Sequence, residues 1–173
     1  MNIIFQTAED GLADTVKPRL ERAGADCSRL IVIDDSDTPL TILDERLEQA
    51  ITKERAQLLI LDPLQAFLGA EVDMHRANEV RPAFRRLAAV AERTGCAVAI
   101  VGHMNKMQGA KGIYRGLGSI DISAIARSIL FVERSKENLG LRCMAQLKNS
   151  LAPFGETLLF DIDERIVFCG VSN

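Results

Sequence analysis

An α/β fold, with a parallel core sheet flanked by helices and antiparallel strands near the C-terminus, is what this sequence predicts. Three observations carry that expectation. Apolar, β-type runs alternate with helix-periodic segments from residue 2 to residue 101, the pattern of a parallel sheet with helices on both faces. Beyond residue 127 strand-like segments follow one another without intervening helices, which predicts an antiparallel extension of that sheet. No repeat, linker or low-complexity tract divides the 173 residues, so one domain spanning 1–173 is expected.

The elements follow in order. Asn2–Thr7 opens as a strand and stops at Ala8-Glu9-Asp10-Gly11. Leu12, Val16, Leu20 and Ala23 recur at helical spacing until Gly24 ends the pattern. Leu30–Ile33 is a short β-branched run closed by Asp34-Asp35-Ser36-Asp37, and Leu40, Leu43, Leu47 and Ile51 mark a second helix. Leu58–Leu61 reads as a buried strand ending on Asp62-Pro63. A longer helix is expected over Arg76–Thr94, with Val80, Phe84, Leu87, Ala88 and Ala91 on one face and a kink or start near Pro82. Gly95 stops it, and Ala97–Val101 forms the next strand, ending at Gly102-His103. The glycine-rich stretch from Met104 to Gly118 shows no helical or strand period and reads as a mobile loop. A short helix near Ile120–Arg127 leads into Ser128–Glu133, after which Leu141–Lys148, Thr157–Asp161 and Arg165–Cys169 read as antiparallel strands.

Composition narrows the function classes. Apolar residues make up 47% and charged residues 26%, a globular balance that excludes disordered, coiled-coil and collagen-like chains. The net charge of −3 means that any nucleic-acid site has to be a local basic patch. The longest apolar runs, Leu58–Leu61 and Cys96–Gly102, fall far short of the roughly 20 residues of a membrane span, and Met1–Phe5 carries no signal-peptide pattern. Cys27, Cys96, Cys143 and Cys169 are scattered, with no Cys-x-x-Cys pair. They read as core hydrophobes of a reduced, cytoplasmic compartment rather than as zinc ligands.

Two parallel strands are expected to end in carboxylates, Glu9-Asp10 and Asp62. In open α/β sheets ligands sit beyond the carboxyl ends of the strands, so these groups point towards one crevice. Asp62 is either ordinary turn chemistry or the carboxylate that holds a Mg²⁺-bound water beside nucleotide phosphates. Asp10 reads as the N-cap of the Leu12 helix. Glu9, one residue earlier, has no such structural excuse and is placed to polarise a water for attack on a phosphate. His103 is either a satisfied structural group or a hydrogen-bond donor to a γ-phosphate or the attacking water. His75 reads as a surface residue. Lys106, Lys111, Tyr114 and Arg115 lie in or beside a loop without an acidic residue from Met104 to Tyr114. That composition suits contact with a nucleic-acid backbone and stacking of Tyr114 on a base, and equally suits a solvated loop. Lys148-Asn149-Ser150 ends a strand, where basic residues are common and usually idle.

Six segments in order resemble a known family: Ala8-Glu9-Asp10; Arg19-Leu20 with Gly24-Ala25; Leu58–Phe67; Gly102-His103-Met104-Asn105-Lys106; Tyr114-Arg115-Gly116-Leu117-Gly118-Ser119; and Lys148-Asn149-Ser150. Together they are similar to the RecA-like ATPases of the plasmid RepA type, relatives of the hexameric replicative helicases, over nearly the whole chain. The resemblance implies a RecA-like three-layer sandwich, with ATP and Mg²⁺ as cofactors and DNA, in single-stranded form, as partner. It gives Glu9 the role of activating the hydrolytic water, Asp62 that of orienting Mg²⁺, and His103 that of sensing the γ-phosphate. It sets Arg115 near the subunit interface and central channel, and Lys148 as a basic finger towards a neighbouring subunit's nucleotide.

One departure stands against these matches. The family's phosphate loop, Gly-x-x-x-x-Gly-Lys-Ser/Thr, has no counterpart, and no Gly-Lys dipeptide occurs in the sequence. Its backbone N–H cradle and lysine are the main anchor of the β- and γ-phosphates. The expectation is therefore a C-terminal portion of an ATPase core, truncated at its N-terminus, with weak or no hydrolysis. Strand edges left open by the strand that the family places centrally favour a dimer or higher oligomer, and the resemblance implies the same, up to a hexamer. Two other readings compete: a non-catalytic DNA-binding or oligomerisation module on the same fold, and a phospho-acceptor receiver built on Asp34-Asp35 and Asp62. The receiver lacks a clear counterpart for the lysine expected after a late strand.

Overall fold

A computed structural model describes residues 1–69, 72–73, 76–103, 120–135, 138–162 and 166–172. The chain groups into two compact units, residues 1–18 with 26–125, and residues 19–25 with 126–173.

The first unit is built on four parallel strands, β1 (Asn2–Thr7), β2 (Leu30–Ile31), β3 (Ala56–Asp62) and β4 (Ala97–Ile100), in the order β2-β1-β3-β4. Alternation decides the faces. Ile4, Gln6, Leu59 and Leu61 are buried on one side of the sheet, whereas Ile3, Phe5, Leu58 and Ile60 on the other are only half-buried. Each fully buried Leu or Ile is worth roughly 1.5–3 kcal/mol relative to exposure, so the register of β3 against β1, Ile4 with Leu59 and Gln6 with Leu61, is strongly specified.

Helices α2 (Glu45–Glu54) and α4 (Ala77–Thr94) contribute to the same buried cluster as Leu59 and Leu61. Asp44 caps α2 by accepting from the Arg46 backbone N–H at 2.9 Å. The helix therefore begins after Leu40 and Leu43 rather than including them. Leu40 is buried in the preceding turn, where the Ile42 N–H donates to the Phe67 carbonyl at 2.7 Å. Helix α4 buries Val80, Ala83, Phe84, Leu87 and Val90. Ala83 and Val90 thus take the places expected for Ala88, which is exposed, and Ala91, which is half-buried. Pro82 lies inside the helix on its exposed side, and the helix begins at Ala77, five residues before it. It ends at Gly95 with φ 68°, a left-handed conformation that glycine adopts without steric cost. Short helices α3 (Leu64–Phe67) and α5 (Ile120–Ile125) complete the unit. The expected first helix is split into a π-turn at Leu12–Val16 and α1 (Lys17–Arg22).

The second unit is an antiparallel meander, β5 (Ser128–Arg134), β6 (Arg142–Asn149), β7 (Thr157–Ile162) and β8 (Ile166–Ser172), paired in that order. The expected strands are all present, and among the described residues they pair in a sheet of their own instead of extending the parallel one. Each strand satisfies its backbone against its neighbour in sequence, as hairpin-connected strands do. Phe160 and Phe168 lie opposite each other with ring centroids 6.5 Å apart and planes tilted by 58°, within the roughly 4.5–7 Å separation at which aromatic pairs interact.

Candidate functional site at the strand tips

Three neighbouring parallel strands deliver the site. Thr7 pairs with Asp62 at the ends of β1 and β3, and the ladder runs one step further through the Ala8 N–H to the Asp62 carbonyl at 3.1 Å. On the other flank the Val101 N–H donates to the Leu61 carbonyl at 2.9 Å, and the Leu64 N–H to the Val101 carbonyl at 2.8 Å. These bonds fix where each chain leaves the sheet. Glu9 emerges two residues past β1, Asp62 is the last residue of β3, and His103 follows the end of β4.

The three side chains meet there. A carboxylate oxygen from Glu9, one from Asp62 and a ring nitrogen from His103 all lie within 4.8 Å of one another. His103 Nε2 is 3.1 Å from Glu9 Oε2. An ionised carboxylate can only accept, so in the neutral imidazole Nε2 carries the hydrogen and donates to Glu9. Burial holds the Asp62 carboxyl above the ordinary carboxylate value, and the charges of Glu9 and Asp10 push it the same way, while His103 pulls it down. A nearby cation would offset the negative charges that push the Asp62 carboxyl up.

The sequence-predicted residues divide accordingly. Glu9, Asp62 and His103 come together. Lys148 lies in the second unit, on β6 opposite Ile129. Lys106, Lys111, Tyr114 and Arg115 lie outside the described residues, as does His75. Asp10 lies one residue before the N-cap position expected of it. Gly11 occupies the N-cap position of the Leu12–Val16 turn, with no side-chain cap bond. Asp10 instead belongs to the electrostatic surroundings of Asp62, a role its position beside Glu9 already signalled.

Two supporting residues were not legible as part of the site. Gln6 is buried on β1, where its amide donates to the Ile33 carbonyl at 3.1 Å and its carbonyl oxygen accepts from the Ile33 N–H at 2.7 Å. It ties the segment after β2 to the rim. Arg46 reaches back from α2 to the carbonyls of Asp34 and Thr38 at 3.2 and 2.9 Å, and so pins the acidic turn after β2. A cavity of about 710 Å³ opens elsewhere, lined by Glu48, Thr52, Arg55, Gln57 and Thr94 among others. Its wall includes the start of β3, whereas Asp62 is the strand's last residue, so the cavity and the carboxylate rim are at opposite ends of that strand.

The RecA-like fold of solved helicase ATPase domains is the class that these elements define. A family model described as an AAA domain matches residues 1–109, and the chain belongs to that family. Among curated proteins it is 26% identical over 164 residues to the DNA repair protein RadA of Halalkalibacterium halodurans, a match covering 94% of this chain and 33% of that protein. Among solved structures, a DnaB-like replicative helicase studied with primase superposes with a TM-score of 0.73 at 15% identity, covering 96% of this chain and 51% of that one. A second solved structure, described as an ATPase domain, gives 0.72 at 14% identity, covering 93% of this chain and 71% of that one. The chain thus spans about a third of the curated relative and about half of the DnaB-like chain.

Proposed function

We propose that this chain is the part of a DNA-replication or repair ATPase that carries the hydrolytic carboxylate, the magnesium carboxylate and the γ-phosphate sensor. The observation that carries this reading is the convergence of Glu9, Asp62 and His103 at one end of a parallel sheet, in a family of ATPases. Glu9 is exposed and free of the sheet, suited to take a proton from an attacking water. His103 holds the Glu9 carboxylate by its Nε2 hydrogen and is positioned to exchange that bond for one to a phosphate oxygen. Asp62, half-buried between them, offers the hard oxygen ligand that Mg²⁺ prefers. When bound, Mg²⁺ neutralises charge on the β- and γ-phosphates.

The same reading extends to the whole of 1–173 as one ATPase-core domain, which the coverage of 93% by a single ATPase domain supports. Lys106, Lys111, Tyr114 and Arg115 contact DNA, single-stranded by preference, and Lys148 acts towards a neighbouring subunit in a dimer or hexamer. The location that suits such work on DNA is cytoplasmic. No described helix is long and apolar enough to cross a membrane. Because these residues include no Gly-Lys phosphate loop, hydrolysis by them alone is weak or absent.

Binding of a fluorescent ATP analogue tests the reading. Mg²⁺-dependent binding, lowered at least tenfold by Asp62→Asn, is the expected result. Binding indifferent both to Mg²⁺ and to Asp62→Asn would contradict it.

A further inference from the structure

The cavity at the opposite end of β3 from the carboxylate rim forms where two helices stop. Helix α2 ends on Arg55 and α4 on Gly95, both in the left-handed conformation and both in the cavity wall. Glycine takes that conformation without steric cost, whereas a side chain resists it. Among the described residues Arg55 is the one non-glycine with positive φ, at 51°. The fold thus tolerates strain at the residue that brings a guanidinium to the cavity. Non-glycine residues held in this way concentrate at ligand clamps and functional sites.

Hydrogen-bond donors decide what the cavity accepts. Among the described residues its one carboxylate, Glu48, is already occupied: Arg93 donates to it from Nε at 3.0 Å and from Nη2 at 2.7 Å. The Arg93 Nη1 group is left over. The Arg55 guanidinium, the Thr52 hydroxyl and the Gln57 amide likewise have no partner among the described residues. Helix carbonyl ends repel anions, but here they are capped. The Ile51 and Thr52 carbonyls accept from the Arg55 N–H, and the Val90 carbonyl from the Thr94 hydroxyl at 2.7 Å. Ile51 and Ala56 are buried and give the wall an apolar part. Two guanidiniums against one carboxylate, with donors to spare, suit a negatively charged ligand rich in acceptors. The volume of about 710 Å³ falls in the range of small-molecule sites. We propose that this cavity is a second ligand site, which binds a small organic oxyanion, a carboxylate or a phosphate, by a fork-to-fork contact with Arg55. Arg93, fixed by Glu48, supplies a second positive edge, and Thr52 and Gln57 donate to the remaining oxygens. This inference does not rest on the ATPase reading.

Titration of inorganic phosphate and, separately, of succinate into the magnesium-free chain at fixed ionic strength tests it, followed by the nuclear magnetic resonance signals of arginine Nε–H and side-chain amide groups. Saturable shifts at Arg55 and Gln57 are expected with at least one anion. Saturation by phosphate alone assigns a phosphate ligand, and by succinate alone a carboxylate ligand. Affinity is expected to fall at least about tenfold in Arg55→Gly, the scale of losing hydrogen bonds to a charged group. It is expected to stay unchanged in Arg85→Ala, an exposed arginine outside the cavity. Glycine suits a left-handed helix end, and circular dichroism verifies that Arg55→Gly folds. Absence of saturation with both anions overturns the proposal. So do equal affinity in Arg55→Gly, shifts shared evenly by all exposed arginines, which would report bulk screening, or binding lost in Asp62→Asn, which would move the anion to the rim.

Discussion

His103 and Glu9 meet at 3.1 Å although 94 residues separate them. They meet because β1 and β4 both run parallel to β3, on either side of it, and end at the same level. The contact is an outcome of strand order, and it puts the rim's imidazole onto one of its carboxylates.

Both side chains are more than half exposed, and exposed pairs of this kind contribute about 0–1 kcal/mol. Glu9→Gln and His103→Ala are therefore expected to leave stability within about 0.5 kcal/mol of the wild type. Urea denaturation checks this. A loss above about 2 kcal/mol would assign the pair to the fold and remove the case for a functional one.

Asp62 makes stability depend on pH. Burial, seconded by Glu9 and Asp10, raises its carboxyl above the ordinary value of 3.8. The folded chain then holds that proton more tightly than the unfolded chain does. The stability this residue contributes is present in acid and is lost as pH rises from 3.8 through the raised value. Asp62→Asn removes the ionisation. With a chelator present, the variant is expected to melt at a higher temperature than the wild type at neutral pH, and the difference is expected to vanish in acid. The effect is modest because the side chain keeps part of its hydration. A gap independent of pH, or one of opposite sign, would show that Asp62 is not desolvated.

Gln6 is 1% exposed and spends both ends of its amide on Ile33. Gln6→Leu keeps the volume but strands the Ile33 N–H and carbonyl, a cost of about 1–3 kcal/mol. Chemical denaturation is expected to show that loss. Faster hydrogen exchange at the Ile33 amide is expected with it. Unchanged stability would mean that water replaces the amide at no cost.

Much of this fold was legible because its strands are short apolar runs and its helices carry buried residues three and four apart. Leu59 and Leu61 announce β3, and Leu47 and Ile51 announce α2. The details that escaped depend on local competition for backbone groups. Asp44 captures the Arg46 N–H and starts α2 later than the leucine spacing suggests. Gly11 takes the cap position that Asp10 was expected to fill. The separate antiparallel sheet was beyond reach for a different reason. Periodicity identifies a strand but says nothing of which edge it joins, and β5 pairs with β6 alone among the described residues. In the site, acidic strand ends revealed Glu9 and Asp62. The buried Gln6 was missed because a single polar residue in an apolar strand carries no mark of what it binds.

Steady-state ATP hydrolysis by the wild-type chain and by Glu9→Gln, measured side by side with Mg²⁺ and single-stranded DNA, tests the central claim most directly. The account predicts turnover close to background in the wild type, and that any measurable excess over background is abolished by Glu9→Gln, in keeping with loss of a general base. Turnover that persists undiminished in Glu9→Gln would contradict it.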